Sequence, residues 1–219
     1  MEIMDLEKYN IENPQISQPD VKYLREEEVI KLKSLIEQCK NEREINNVIK
    51  AHSDLLVAFL DIFNTGHHGI TAVPEAQIKN HIKGFGNGLI PDWLLMGKNS
   101  DGQQYYFTEL KSPSMKIFVK KGTRVCFSED CNRALNQLLA YISFAERNQS
   151  YFRDAYKFND FENPSGLLVI GNRKDLTEEF SQQKRAWNKL MSGKIKIVTW
   201  DRILESLLSK WNFVSHGNI

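Results

Sequence analysis

Two mainly apolar runs, Trp93–Met96 and Gln104–Leu110, flank the polar stretch KNSDG, and the second run ends in Glu109-Leu110-Lys111-Ser112-Pro113. This pattern predicts an antiparallel β-hairpin, because Asp-Gly is a strong turn signal and the flanks are rich in aromatic and branched residues. A hairpin fixes which residues face each other. Pairing symmetrically about Ser100-Asp101 sets Asp92 opposite Glu109. Directly opposed residues point to one sheet face with Cβ atoms about 5 Å apart. Lys111, two residues past Glu109, returns to that face because strand side chains alternate. A slip of one residue would turn every side chain over, so the inference stands on the register.

The rest of the chain supplies a frame for the hairpin. Residues 1–20 are polar and contain Pro14 and Pro19, which reads as a loose arm. Tyr23–Lys40 carries Leu24, Val29, Leu32, Leu35 and Ile36 at helical spacing. A second helical stretch, EREINNVIKAHSDLLVAFLDIF, is expected to break near His52-Ser53, with Ser53 capping the new helix. HHGITAVPEAQI reads as a strand whose Pro74 suits a sheet edge. GFGNG (84–88) leads into a strand rather than a helix, so it reads as a flexible connection and not as a dinucleotide loop. Beyond Lys111 come a helix carrying Ala134, Leu135, Leu138, Leu139 and Ile142, the strand GLLVIGN, a helix ending at Gly193, the strand KIKIVTW, and a closing helix capped by Asp201. The order is helix, three strands, helix, strand, helix, strand, helix. That predicts an α/β fold with a mixed sheet flanked by helices. The expected division is an N-terminal arm and helix over 1–41 and a main domain over 42–219.

Composition narrows the function classes. The 219 residues suffice for one substantial core, and basic residues exceed acidic ones by one (29 against 28). A nucleic-acid partner must therefore be met by a local patch. Three cysteines, Cys39, Cys126 and Cys131, read as reduced thiols of a cytoplasmic protein. Cys126 and Cys131 with His67-His68 fit no standard zinc spacing. No signal peptide and no run of membrane-spanning length is present.

Two opposed carboxylates repel unless a cation sits between them. Oxygen ligands suit Mg²⁺, with Mn²⁺ able to substitute, and these ions also take phosphate oxygens. A lysine beside such a site can position an attacking water and offset charge developing on a phosphorane. Asp92, Glu109 and Lys111 thus point to phosphodiester hydrolysis. The competing reading is a surface ion pair at a strand end, which contributes little to stability. The following helix favours catalysis: Gln137 and Tyr141 share one face, and an amide is out of place on an otherwise apolar face unless it serves the site.

Pro91-Asp92, Glu109-Leu110-Lys111 and Gln137–Tyr141, in this strand-strand-helix order, resemble the PD-(D/E)xK nuclease superfamily. PDWLL, TELKSP, NQLLAYI, GLLVIGN and IKIVTWDRIL in succession resemble, more narrowly, the Shedu (SduA) family of prokaryotic anti-phage defence, over roughly residues 42–210. The resemblance implies a restriction-endonuclease-like core and a metal-dependent DNA endonuclease, often a homo-oligomer. Asp92 and Glu109 would hold metal, Lys111 would serve the attacking water, and Gln137 would support the site. The superfamily often adds an acid from the first core helix; Glu44 is the candidate, with Glu42 and Glu75 as rivals. A restriction-like or repair nuclease, or a catalytically silent DNA- or protein-binding relative, are the alternatives.

DNA contact is expected just beyond the active strand. Lys116, Lys120, Lys121, Arg124 and Arg133 suit phosphate contacts, which give salt-dependent affinity without sequence reading. A solvated lysine-rich loop is the competing reading. Trp187 and Trp200 lie in helix and strand patterns and read as core residues.

Overall fold

A computed structural model describes residues 15–78 and 89–216. Three helices, α1 (Glu26–Glu37), α2 (Glu42–Ala51) and α3 (Val57–Asp61), precede strand β1 (Ile70–Pro74). The hairpin follows as β2 (Trp93–Asn99) and β3 (Gly102–Leu110), then a small hairpin of β4 (Phe118–Lys121) and β5 (Arg124–Phe127). Helices α4 (Glu129–Arg147) and α5 (Gln149–Tyr156), strand β6 (Ser165–Val169), helix α6 (Glu178–Leu190), strand β7 (Ile195–Val198) and helix α7 (Trp200–His216) complete the chain. The main sheet has the order β1-β2-β3-β6-β7. β1, β2 and β3 are antiparallel, and β6 and β7 run parallel to β3, so the sheet is mixed as the sequence predicted.

Alternation along the strands builds two cores. Ala72, Trp93, Leu95, Tyr106, Leu110, Leu167 and Val169 face α1, α2, α3 and α7. Val73, Leu94, Tyr105, Phe107, Leu168, Ile170, Ile195 and Ile197 face α4, α5 and the aromatic underside of the small hairpin. The result is an α/β sandwich of three layers. The hairpin register is the one expected from the turn: Trp93 pairs with Thr108 and Asn99 with Gly102, so Asp92 and Glu109 lie one step past the last paired residues. Gly102 takes φ +119°, which explains glycine at the end of the turn.

The structure corrects several sequence readings. Residues 15–20 are not a loose arm: Ser17 exchanges two main-chain hydrogen bonds of 2.9 Å with Ala72 along the outer side of β1, and Asp20 N–H donates to Asp54 Oδ1 at 2.8 Å. Residues 1–14 and the GFGNG stretch lie outside the described residues. The helix break at His52 occurs where expected, but Ser53 opens a short 3₁₀ turn and makes no capping hydrogen bond. Leu139 is 48% exposed, because its position falls on the solvent side of α4 while Leu138 and Ile142 take the core. Asp201 does not cap α7; it lies in the first turn and accepts from Arg173 N–H at 2.6 Å. The β4–β5 hairpin and α5 are additions to the predicted order of elements. All three cysteines are free thiols. Among the described residues no helix is long and apolar enough to cross a membrane.

One side chain completes the outer strand β7. Asn188 of α6 accepts from Ile197 N–H and donates to Ile197 C=O, both at 2.9 Å. Its amide thereby satisfies both main-chain groups of the residue that points away from β6. Asn188→Ala should cost about 1–3 kcal/mol, since both groups would lose their partner, and Asn188→Asp, which keeps only the acceptor, should fall between. Thermal unfolding reads the order directly; equal melting temperatures for all three proteins would show the pairing to be energetically idle.

Candidate active site

The acids and the lysine do converge. The peptide N–H of Leu110 donates to Asp92 Oδ2 at 2.7 Å, which ties the first acid to the end of the partner strand. Glu109 is only 3% exposed. Its Oε1 accepts from the Tyr141 hydroxyl at 2.6 Å, and its Oε2 lies 3.1 Å from Lys111 Nζ. Lys111 Nζ also lies 3.5 Å from Glu42 Oε2. Two carboxyl groups, from α2 and the end of β3, therefore flank one ammonium, and a third, Asp92 just ahead of β2, acts on it by charge.

The electrostatics follow from burial. Desolvation pushes the Asp92 carboxyl up to about 6, and the neighbouring Glu109 pushes the same way. Burial likewise raises Glu109, against the pull of Lys111 and the Tyr141 hydrogen bond. Burial raises Glu42, opposed by Lys111 and reinforced by Asp92. Burial works against the Lys111 charge, but Glu109 and Glu42 outweigh it and hold its pKa above the ordinary lysine value. Burial and the Glu109 charge raise the Tyr141 phenol, so it remains a hydrogen-bond donor. Burial is the main reason that the three acids are raised; like-charge repulsion adds to it, and one ammonium offsets it only in part. The three acids are a donor set that suits a hard divalent cation. Among the described residues no three His, Cys, Asp or Glu side chains are grouped closely enough to cage an ion. An ion held here would complete its shell with water or phosphate oxygens, the usual habit of Mg²⁺.

Of the two α2 acids, it is Glu42 rather than the expected Glu44 that lies near Lys111, at 3.5 Å. Asn41 caps the helix by accepting from Glu44 N–H at 2.9 Å, and its amide donates to the Glu44 carboxylate at 2.6 Å. Asn41-x-x-Glu44 is a capping pattern. It occupies Glu44 outside the site and leaves Glu42 to face Lys111. That signal is readable in the sequence. Glu75, the other rival, pairs with Lys50. The helix itself is set by Trp93, whose buried indole N–H donates to Asn46 Oδ1 at 2.8 Å.

The Gln137–Tyr141 face reaches the site through its second member. Tyr141 is buried and bonds Glu109, whereas Gln137, one turn earlier and half-buried, makes no hydrogen bond with the described residues. The basic residues divide in two. Lys120 pairs with Glu179 and Arg133 with Glu129 at 3.0 Å. Lys116 is exposed, and Lys121 and Arg124 are exposed and opposed at the tip of the β4–β5 hairpin. Trp200 is fully buried, as expected; Trp187 is half-buried against Phe127.

A family model described as Shedu protein SduA, C-terminal, matches residues 39–204. The matched span contains Glu42, Asp92, Glu109, Lys111, Gln137, Tyr141 and Trp200. No curated protein matches the chain.

The raised acids make a stability prediction. Asp92 has a folded pKa of about 6 against an ordinary 3.8. Between those values the folded protein holds more protons than the unfolded chain, so stability falls as pH rises through that window. Without divalent metal, Asp92→Asn should melt above wild type at about pH 7.5, and the gap should close as pH falls from 6 toward 4. Each kcal/mol moves a chain of this size by about 2–4 °C. A wild type that out-melts the variant at neutral pH would mean that the Asp92 charge is favourably paired.

Proposed function

This chain belongs to the Shedu family through the SduA C-terminal region, and from that premise we propose that it is a metal-dependent DNA endonuclease acting in anti-phage defence. We read its sheet and site as a PD-(D/E)xK core. The observation that carries the reading is the ammonium of Lys111 held 3.1 Å from Glu109 and 3.5 Å from Glu42, with the raised carboxyl of Asp92 beside them. A structural ion pair needs one acid. Three buried acids with raised pKa values, sharing one lysine, are costly unless they serve a cation and a reaction.

Asp92 and Glu109 would hold Mg²⁺ or Mn²⁺, with Glu42 completing the acidic set in the place that the sequence pattern assigns to Glu44. The ion would supply charge neutralisation at the scissile phosphate and a lowered pKa for water. The protein's own groups do the rest. Tyr141 fixes one Glu109 oxygen, and the Leu110 N–H fixes one Asp92 oxygen, so neither carboxylate swings freely. Lys111 remains charged and donates hydrogen bonds that would orient the attacking water and stabilise a phosphate oxygen as negative charge develops on it. Gln137, one turn before Tyr141 on the same helix face, would hold the incoming water.

Lys116, Lys121 and Arg124 supply the phosphate contacts in this reading, while the acidic partners of Lys120 and Arg133 reduce their share. Self-association, which the family implies, belongs to the same proposal, as does a cytoplasmic location.

Plasmid cleavage tests the core of the reading. Activity should need Mg²⁺ or Mn²⁺, vanish in EDTA, and vanish in Asp92→Ala, Glu109→Ala and Lys111→Ala. Glu42→Gln should lose far more activity than Glu44→Gln. Unchanged cleavage by Lys111→Ala would remove it from the chemistry, and DNA binding without cleavage by the wild type would favour a silent relative. For the interface, Lys121→Ala with Arg124→Ala should weaken DNA binding and reduce its salt slope by about 2, one for each phosphate no longer neutralised. Lys120→Ala with Arg133→Ala should change the slope less.

A further inference from the structure

We propose that Trp200 is a positioning residue for Lys111, acting on it through the main chain. The strand ladder of β3 ends at Leu110, paired with Val169. Lys111 therefore sits where the sheet no longer dictates the backbone. Its N–H still donates to Val169 C=O at 2.8 Å. Its carbonyl oxygen is taken by the indole N–H of Trp200 at 2.7 Å. Both main-chain groups of Lys111 are thus held, one by β6 and one by the first residue of α7.

The holder is itself immobile. Trp200 is fully buried among Leu110, Val169 and Ile203 and stands edge-on to Phe59 at 6.3 Å. Its own N–H donates to Gly171 C=O at 3.0 Å. One residue therefore links the end of β6 to the end of β3. The segment after Lys111 is held from the same side. Gly171 N–H donates to Ser112 C=O at 3.3 Å, and Asn172 Nδ2 donates to Pro113 C=O at 3.1 Å. Gly171 has φ +70°, and a Cβ there would meet Met115 O at 2.6 Å, so the two segments cross too closely for a side chain. A lysine side chain has four rotatable bonds and gains precision only from a fixed Cα. A burial role alone could be met by any large apolar residue; a donor aimed at the Lys111 carbonyl could not.

The inference rests on Lys111 serving the cleavage reaction, and the test separates the two. Trp200→Phe keeps an aromatic ring and removes the donor; replacing Trp200 by its benzothiophene isostere removes the N–H alone. Both should lower the single-turnover cleavage rate at saturating DNA by about 10–100-fold, the scale of a small misplacement, with DNA affinity within about 2-fold because the phosphate contacts lie elsewhere. Leu207→Ala, in the same core but away from Lys111, should lower the melting temperature and leave the rate of the folded protein unchanged. A readout without metal or DNA is amide exchange at Lys111, which should speed up in the isostere protein and not in Leu207→Ala. Wild-type cleavage and unchanged Lys111 exchange in the isostere protein would overturn the role of Trp200, even with Lys111→Ala inactive. Wild-type cleavage by Lys111→Ala would overturn the nuclease reading instead, while faster exchange of the Lys111 N–H, which is bonded to Val169, would still show that Trp200 steadies the Lys111 backbone.

Discussion

The arrangement depends on burying one ammonium against the carboxyl groups of Glu109 and Glu42, with that of Asp92 close enough to act on it by charge. Charges removed from water are costly unless they are paired and hydrogen-bonded. Glu109 meets that condition with both oxygens, one on Tyr141 and one on Lys111. Asp92 meets it through a strand-end N–H, and Glu42 through the lysine. The elements needed to bring these partners together are the elements of the fold. The β2–β3 hairpin aligns two of the acids, α2 delivers the third, and α4 crosses the Glu109 face to place the tyrosine. Removing Tyr141 or Lys111 would leave a buried oxygen without a partner, so the polar network constrains the helix layers as much as their apolar packing does.

The two tryptophans on the α1, α2, α3 and α7 side do related work. Trp93 reaches from β2 to Asn46 and sets α2; Trp200 reaches from α7 to Lys111. Both use the large apolar body to anchor in the core and the single N–H to specify a position. Lys111 and α2, which carries Glu42, are thereby both positioned from this side of the sheet, while Tyr141 reaches Glu109 from α4.

The sequence exposes some of this and conceals the rest for identifiable reasons. The hairpin register is legible because turn chemistry and alternation act locally: Asp101-Gly102 fixes the turn, and the pairing of Trp93 with Thr108 follows. Pro74 marks an outer strand for an equally local reason, its missing N–H. The acid from α2 is harder to read. Glu42 and Glu44 share a first helical turn, and their difference depends on the capping by Asn41 and on the helix orientation set by the contact of Trp93 with Asn46. The helix face of Gln137 and Tyr141 is visible, but which member touches Glu109 depends on how far α4 slides along the sheet, a tertiary quantity. The β4–β5 hairpin is concealed because its strands are four residues long and carry solvated basic side chains. Such strands lack the apolar alternation that announces longer ones.

The amide of Asn188 has a consequence for how copies of this chain can meet. A strand at the margin of a sheet ordinarily offers unpaired main-chain groups to any neighbouring chain, and proteins blunt such margins in several ways. Here a side chain occupies the hydrogen-bonding groups of Ile197 as a sixth strand would, and Ser17 does the same for Ala72 at the opposite margin. At these two positions the sheet is closed to strand addition from another molecule. A second copy could not extend the sheet through Ile197 or Ala72 without first displacing Asn188 or Ser17.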